Sequence, residues 1–208
     1  KGSILRESAI IALVSFALIL LIALITYDVA DSGYVIKNDL EVNNYLGGVG
    51  AYFSSFVIYF FGLASYFFPL LFLVYGLNLI EVKDDSRSSV QSVSIKFIAF
   101  LFVLLSTCCF SSMHIYVSWV PMDSGAGGII GKSINGFLIK GLDEIGTTLL
   151  ASAIWIIFMP IFIGFSWLNL FRLTGKFVIT FVSILGQFFA RVFTSLKKFI
   201  GSFEKKKI

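Results

Sequence analysis

The chain has 208 residues, 58% hydrophobic and only 13% charged, with a formal net charge of +4 and a mean hydropathy of +0.94. A water-exposed domain carries about 25% charged residues, so a soluble globular protein is excluded. The apolar residues also fall in runs long enough to cross hydrocarbon. The pattern predicts an all-α integral membrane protein: four transmembrane helices followed by an interfacial amphipathic helix.

The first span is expected over residues 9–26, rich in Ile, Leu, Ala and Val and free of charge. It is too long for the apolar core of a secretion signal, and no small-x-small cleavage pattern follows it. The loop after it carries Asp28, Asp31, Asp39 and Glu41 against Lys37 alone. The second span, 50–80, would be about 46 Å long as a straight helix, against roughly 30 Å of hydrocarbon. It must tilt, kink or protrude. Pro69 is the expected kink, because it removes a backbone donor and clashes with the preceding turn. Gly62 and Ala64 would let a neighbour approach.

The third span is expected over 96–116. It contains adjacent Cys108 and Cys109, whose neighbouring positions on a helix suit neither a disulfide nor a metal pair, so both read as small packing residues. His114 ends the run and has no ligand-like partners in its vicinity. It reads as an interfacial packing residue, with a polar contact between helices as the exception. The fourth span, 147–168, contains Pro160, with Trp155 and Trp167 near its ends at the headgroup level.

Two glycine clusters mark the segments before spans two and four: Asn44 to Ala51, with Gly47, Gly48 and Gly50, and Gly125 to Gly131, with Gly127 and Gly128. They offer close backbone approach. Gly131-Lys132-Ser133 ends like a phosphate-binding loop, yet Ala126 stands where that motif needs its first glycine. Residues 127–144 have the rhythm of a short re-entrant or interfacial helix. The likeness of the two clusters hints at a weak repeat of spans one and two in spans three and four.

Charge sets the orientation. The loop 28–46 is acidic, and the 117–146 loop carries Asp123, Asp143 and Glu144 against Lys132 and Lys140. The 81–95 loop holds Lys83 and Arg87, and the tail after span four holds Arg172, Lys176, Arg191, Lys197, Lys198 and Lys205 to Lys207 against Glu204. Basic loops stay inside, which places both termini in the cytoplasm. Residues 177–190 are nearly free of charge but short for a fifth span, and a crossing there would carry the basic end outside. An in-plane helix over 173–208 is expected instead, with its apolar side in lipid and Arg172, Lys176, Arg191, Lys197 and Lys198 near anionic headgroups. Phe181, Leu185, Phe188, Val192, Phe199 and Phe203 recur at mostly helical spacing on it.

No ionisable residue lies deep in a predicted span, which argues against a pump or a transporter. A small channel or transport subunit is the alternative of a different class. No catalytic, cofactor-binding or metal-ligating constellation stands out.

The arrangement resembles the amino-terminal membrane domain of the FtsK/SpoIIIE-type bacterial DNA translocases. The acidic-aromatic stretch Tyr27-Asp28-Val29-Ala30-Asp31-Ser32-Gly33-Tyr34 follows span one. Asn44, Gly47, Gly50 and Ala51 lead into span two, then come Phe61-Gly62 and Pro69. Gly127, Gly128 and Gly131 precede span four, and Gly164-Phe165-Ser166-Trp167-Leu168 follows it. The likeness covers about residues 9–172. Ser55 stands where the family often has Asp, and Asp28-Val29 lacks the usual Pro. The resemblance implies a non-catalytic anchor and septum-targeting domain in the inner membrane, acting in cell division and chromosome segregation. It further implies a cytoplasmic motor beyond residue 208 that uses ATP and Mg2+ to move double-stranded DNA. The lipid bilayer, cell-division proteins and self-association are the implied partners. Asn44, Gly47, Gly50, Ala51, Gly62, Pro69, Gly127, Gly128, Gly131 and Pro160 are the expected packing residues.

Overall fold

Six α-helices and one 3-10 turn make up the described residues of the computed structural model, which are 2–31, 33–34, 41–81, 86–121 and 124–204. Side chains are described at 4–80, 93–121 and 124–187 within these limits. The loop charges Lys37, Asp39, Lys83, Asp84, Asp85 and Asp123 and the terminal Lys205 to Lys207 lie outside the described residues. The helices are α1 (Gly2–Ile25), α2 (Gly47–Phe61), α3 (Phe67–Glu81), α4 (Ser86–His114), α5 (Gly128–Ile163) and α6 (Trp167–Glu204), with the 3-10 turn at Gly62–Tyr66 between α2 and α3. Two compact units result, Lys1–Gly164 and Phe165–Ile208. The division lies earlier than the expected 172/173, because Gly164 caps α5 in the left-handed conformation and its N–H donates to the Pro160 carbonyl at 2.8 Å. Trp167 therefore opens α6 rather than closing the fourth span.

Five helical stretches are long and apolar enough to cross a membrane: Ile4–Ile25, Gly47–Ile80, Val93–His114, Gly128–Ile163 and Trp167–Gln187. The helices run beyond several expected span limits, since a span continues as helix into the headgroup region. The break in the second span is not at Pro69. Pro69 is the third residue of α3, in a first turn where its missing N–H has no intrahelical acceptor to lose. The chain breaks at Gly62, whose φ of 56° and ψ of −132° only glycine adopts readily.

Hydrocarbon supplies no partner for backbone groups freed at such a break, so the protein must. The Ser65 hydroxyl lies 2.6 Å from the Gly62 carbonyl and 3.0 Å from that of Val57. The Cys108 thiol reaches the Phe61 carbonyl at 3.4 Å, and the Leu63 N–H donates to the Ala126 carbonyl at 2.8 Å.

The hinted repeat is visible in the backbone. Gly47 and Gly128, at φ 63° and 67°, each open a helix, and Gly62 and Asp143, both at φ 56°, each interrupt it. The counterparts stand 81 residues apart (47 to 128, 62 to 143). Both units run as helix, loop, glycine, second helix, break, returning helix. In the first, α3 returns along α1, with Phe72 edge-on to Phe16 at 4.8 Å and Gly76 against Leu13 and Val14. In the second, residues 144–163 return along α4, with Phe158 stacked on Phe102 at 4.3 Å. The main core joins both repeats through Ala64, Leu71, Val74, Ala99, Phe100, Val103, Leu104, Cys108 and Phe162. A smaller cluster of Leu24, Ile58 and Val120 packs the end of α1 and α2 against the segment that follows α4.

The re-entrant or interfacial helix expected over 127–144 is the first leg of α5, residues 128–142. Asn135 reaches Cys109 and Ser112, and His114 Nε2 lies 2.8 Å from Thr148 Oγ1. All three belong to the last turns of α4. Unbroken helix would put Asn135 and Thr148 about 20 Å apart, so the chain leaves and returns at Asp143.

Candidate functional site

The features with a structural part to play are three: a polar knot at the end of α1, a glycine crossing between the two repeats, and the face of α6.

The knot is built on Asn44, which is buried. Its amide donates to the carbonyls of Ala23 and Thr26 at 2.8 and 3.2 Å. Carbonyls at the C-terminal end of a helix have no intrahelical donor, and the Asn44 amide serves two of those at the end of α1. Its side-chain oxygen accepts from the Leu46 N–H at 3.1 Å, and its carbonyl accepts from Gly47 at 2.8 Å, a turn that aims the chain into α2. Asp31, also buried, accepts from the N–H groups of Asn43 and Asn44 at 2.7 and 3.0 Å. Gly50 is required here, because a Cβ would stand 2.3 Å from the Asn44 oxygen. Ala51 is buried behind it. Tyr27 sits beside this knot, where burial, with Asp28 and Asp31 nearby, pushes its hydroxyl up to about 12. The sequence places both Asn44 and Asp31 in their loop, but not the contact between them, because their spacing gives no periodic signal.

At the crossing, a Cβ on Gly62 would meet the Ala126 carbonyl oxygen at 2.1 Å, and one on Gly128 the Phe60 carbonyl oxygen at 2.2 Å. Gly127 and Gly131 lie on α4, where a Cβ would meet the Cys108 carbonyl oxygen at 2.1 and 2.3 Å. Asn135, buried one turn later, donates to the Cys109 carbonyl at 3.1 Å and to the Ser112 hydroxyl, and the Cys109 thiol reaches its oxygen at 2.8 Å. Cys108 and Cys109 are thus buried partners of backbone and amide groups. Gly47 has no atom within 4 Å of its Cβ position. Asn135 was not singled out from sequence, since an isolated Asn in an apolar helix gives no periodic signal.

A groove of about 430 Å³ opens between α4 and α5, lined by Ser106, Thr107, Phe110, Ser111, Ala151 and Trp155 among others. None of its lining residues ionises, and among the described residues no group of His, Cys, Asp and Glu is placed to hold a metal.

The α6 helix is considered by itself. Asn169, Arg172, Lys176, Thr180, Ser183, Gln187, Arg191, Thr194 and Lys198 follow one another at intervals of three or four residues, a polar stripe along the whole helix. Phe171, Val178, Phe181, Val182, Leu185, Phe188 and Val192 fall opposite. The side chains of Arg191, Lys197 and Lys198 lie outside the described ones, while Arg172 and Lys176 are exposed. Trp167–Gln187 meets the length and hydropathy of a span, but the stripe distinguishes it from the other four stretches.

Residues 3–175 match the family described as the 4TM region of DNA translocase FtsK/SpoIIIE. The chain belongs to this family, whose region is a membrane domain. The matched segment ends within the first turns of α6, so the first four span-length stretches fall inside it and most of α6 outside. Similar relatives carry the name DNA translocase FtsK. That of Pseudomonas putida is 30% identical over 174 residues, which is 83% of this chain and 21% of the relative. That of Pseudomonas syringae pv. syringae is 29% identical over 83% of this chain and 22% of the relative. That of Pseudomonas aeruginosa is 27% identical over 90% and 23%. The chain therefore spans about a fifth of the length of the curated relatives it matches. No solved structure matches it.

Proposed function

We propose that this chain is the membrane anchor of a DNA translocase acting in cell division and chromosome segregation, and that it catalyses nothing itself. The observation that carries the reading is the family match over residues 3–175, with the matched segment covering about a fifth of its translocase relatives. The charge-poor interior of the spans supports an anchor over a conducting or transporting subunit, because ion and proton pathways use intramembrane acids and bases. ATP, Mg2+ and double-stranded DNA belong, on this reading, to a motor outside these residues. Division proteins and the septum are what the outer loops and the anchor address.

Both termini are cytoplasmic. In α6 the stripe of Arg172, Lys176, Arg191 and Lys198 faces anionic headgroups while the Phe-rich side enters the inner leaflet. Pro69, Pro160 and the crossing glycines serve the packing of the bundle itself.

The test compares the intact protein with a variant whose residues 1–175 are replaced by an unrelated four-span anchor. The motor of the swapped protein is expected to keep its ATP-dependent DNA movement in vitro while septal enrichment of a fluorescent fusion is lost. Unchanged septal enrichment would overturn the targeting role. Ion flux through vesicles holding this chain alone would overturn the anchor reading in favour of a channel.

A further inference from the structure

Three span-length stretches end together on the side of the bundle opposite the Asn44 knot. Asn78 is the third residue from the end of Gly47–Ile80, Lys96 is the fourth of Val93–His114, and Gly164 directly follows Gly128–Ile163. The Lys96 ammonium donates to the Asn78 side-chain oxygen. It also lies 3.4 Å from where a Cβ on Gly164 would stand. The Tyr75 hydroxyl donates to the Val93 carbonyl at 3.2 Å, which closes α3 on α4 at this level. The carbonyls that end α5 favour a cation beside them.

Two kinds of donor are left over. Lys96 is half-buried, and among the described residues it makes this one hydrogen bond and no ion pair. An ammonium has three donors. The Asn78 side-chain nitrogen is buried with no acceptor, the only such side-chain atom among the described residues. The amide cannot turn over to relieve it, because its N–H groups would then face the ammonium. Buried donors call for an acceptor, and the uncompensated positive charge calls for an anionic one. A phosphate oxygen meets both needs. A lysine that only snorkels keeps its head in water, whereas this one is held inward by Asn78. Around the recess Leu77, Ile80, Ile95 and Phe97 are exposed. A polar recess ringed by apolar side chains, at the limit of the hydrocarbon, suits a headgroup with its acyl chains along α3 and α4 better than an anion from water.

We propose that Lys96 and Asn78 bind the phosphate of an anionic phospholipid where α3, α4 and the end of α5 meet. The lipid bridges the two repeats, since α3 belongs to the first and α4 and α5 to the second. The site is built into the bundle and is separate from the basic stripe of α6. It does not depend on which side of the membrane this end faces.

The test is hydrogen exchange of the intact protein in neutral detergent, with and without added phosphatidylglycerol. Exchange at residues 75–81 and 93–98 is expected to slow several-fold with phosphatidylglycerol, and not with phosphatidylcholine or inorganic phosphate. Lys96→Gln and Asn78→Asp are expected to lose this protection and Lys96→Arg to keep it. Asn78→Asp is the sharpest arm. Its carboxylate still accepts from Lys96, so the contact between α3 and α4 and the unfolding midpoint are kept, while the charge is neutralised and the spare donor removed. Unchanged protection in Asn78→Asp overturns the proposal, as does no protection at these residues in the parent. Equal protection by phosphatidylcholine overturns the need for an anion, and protection by inorganic phosphate overturns the lipid as its source. Glu81, whose side chain lies outside the described ones, is one turn beyond Asn78. Glu81→Gln is expected to respond like the parent, and a response seen only in that variant would mean that Glu81 already holds Lys96, which overturns the site. Protection confined to α6 would leave the in-plane helix standing and overturn the site alone.

Discussion

Gly62 and Gly128 lie where their two backbone segments cross. Their Cβ positions stand 2.1 Å from the Ala126 carbonyl oxygen and 2.2 Å from the Phe60 carbonyl oxygen, and both have positive φ. Gly62→Ala therefore adds a left-handed strain of about 1–2 kcal/mol to an overpacking cost of about 1–3 kcal/mol. The expected outcome is a lower unfolding midpoint in detergent, with Gly48→Ala, where the surroundings are open, as the neutral comparison.

The corresponding break in the second repeat carries Asp143 at φ 56° and ψ 178°, a region that is essentially glycine-only and costs a non-glycine residue about 1–3 kcal/mol. Asp143→Gly is expected to raise the unfolding midpoint by relieving this strain. A lowered midpoint would mean that the Asp143 side chain holds the reversal.

Asn44→Ala removes the amide that serves the Ala23 and Thr26 carbonyls and the oxygen that turns Leu46. Buried groups left without partners cost about 1–3 kcal/mol each. Hydrogen exchange is expected to rise at the end of α1 and the start of α2 with little change in α4. A change spread evenly over the chain would contradict a local knot.

Much of the bundle was legible in the sequence and parts of it were not. The four spans, the Gly-rich approach to each returning helix and the basic end of the chain are written in hydropathy and charge, which act locally. A proline inside a long apolar run is the strongest local breaker signal, so the sequence points to Pro69 rather than Gly62. The actual cause is tertiary, a backbone crossing from residues 126–128 that no local pattern contains. The contacts of Asp31 and the role of Asn135 are hidden for the same reason, since each is defined by a distant partner. The polar stripe of α6 shows once the whole helix is seen as one element, whereas residues 177–190 taken alone look like a short span.

Tyr27 has its hydroxyl raised from 10.0 to about 12, chiefly by burial. The folded chain therefore favours the neutral phenol. That contribution is intact below about pH 10 and is lost as pH rises toward about 12. Thermal unfolding of the parent chain is expected to fall more steeply across this window than that of Tyr27→Phe. Parallel curves would place the tyrosine in a more solvated setting.

The sidedness of the basic end decides the account most directly. Lys205→Cys is compared with Tyr45→Cys in intact and permeabilised cells, using a membrane-impermeant maleimide with Cys108 and Cys109 buried. With four crossings and an in-plane α6, position 45 labels in intact cells and position 205 only after permeabilisation. Labelling of position 205 in intact cells would mean that Trp167–Gln187 crosses the membrane, which would contradict the anchor with a cytoplasmic exit.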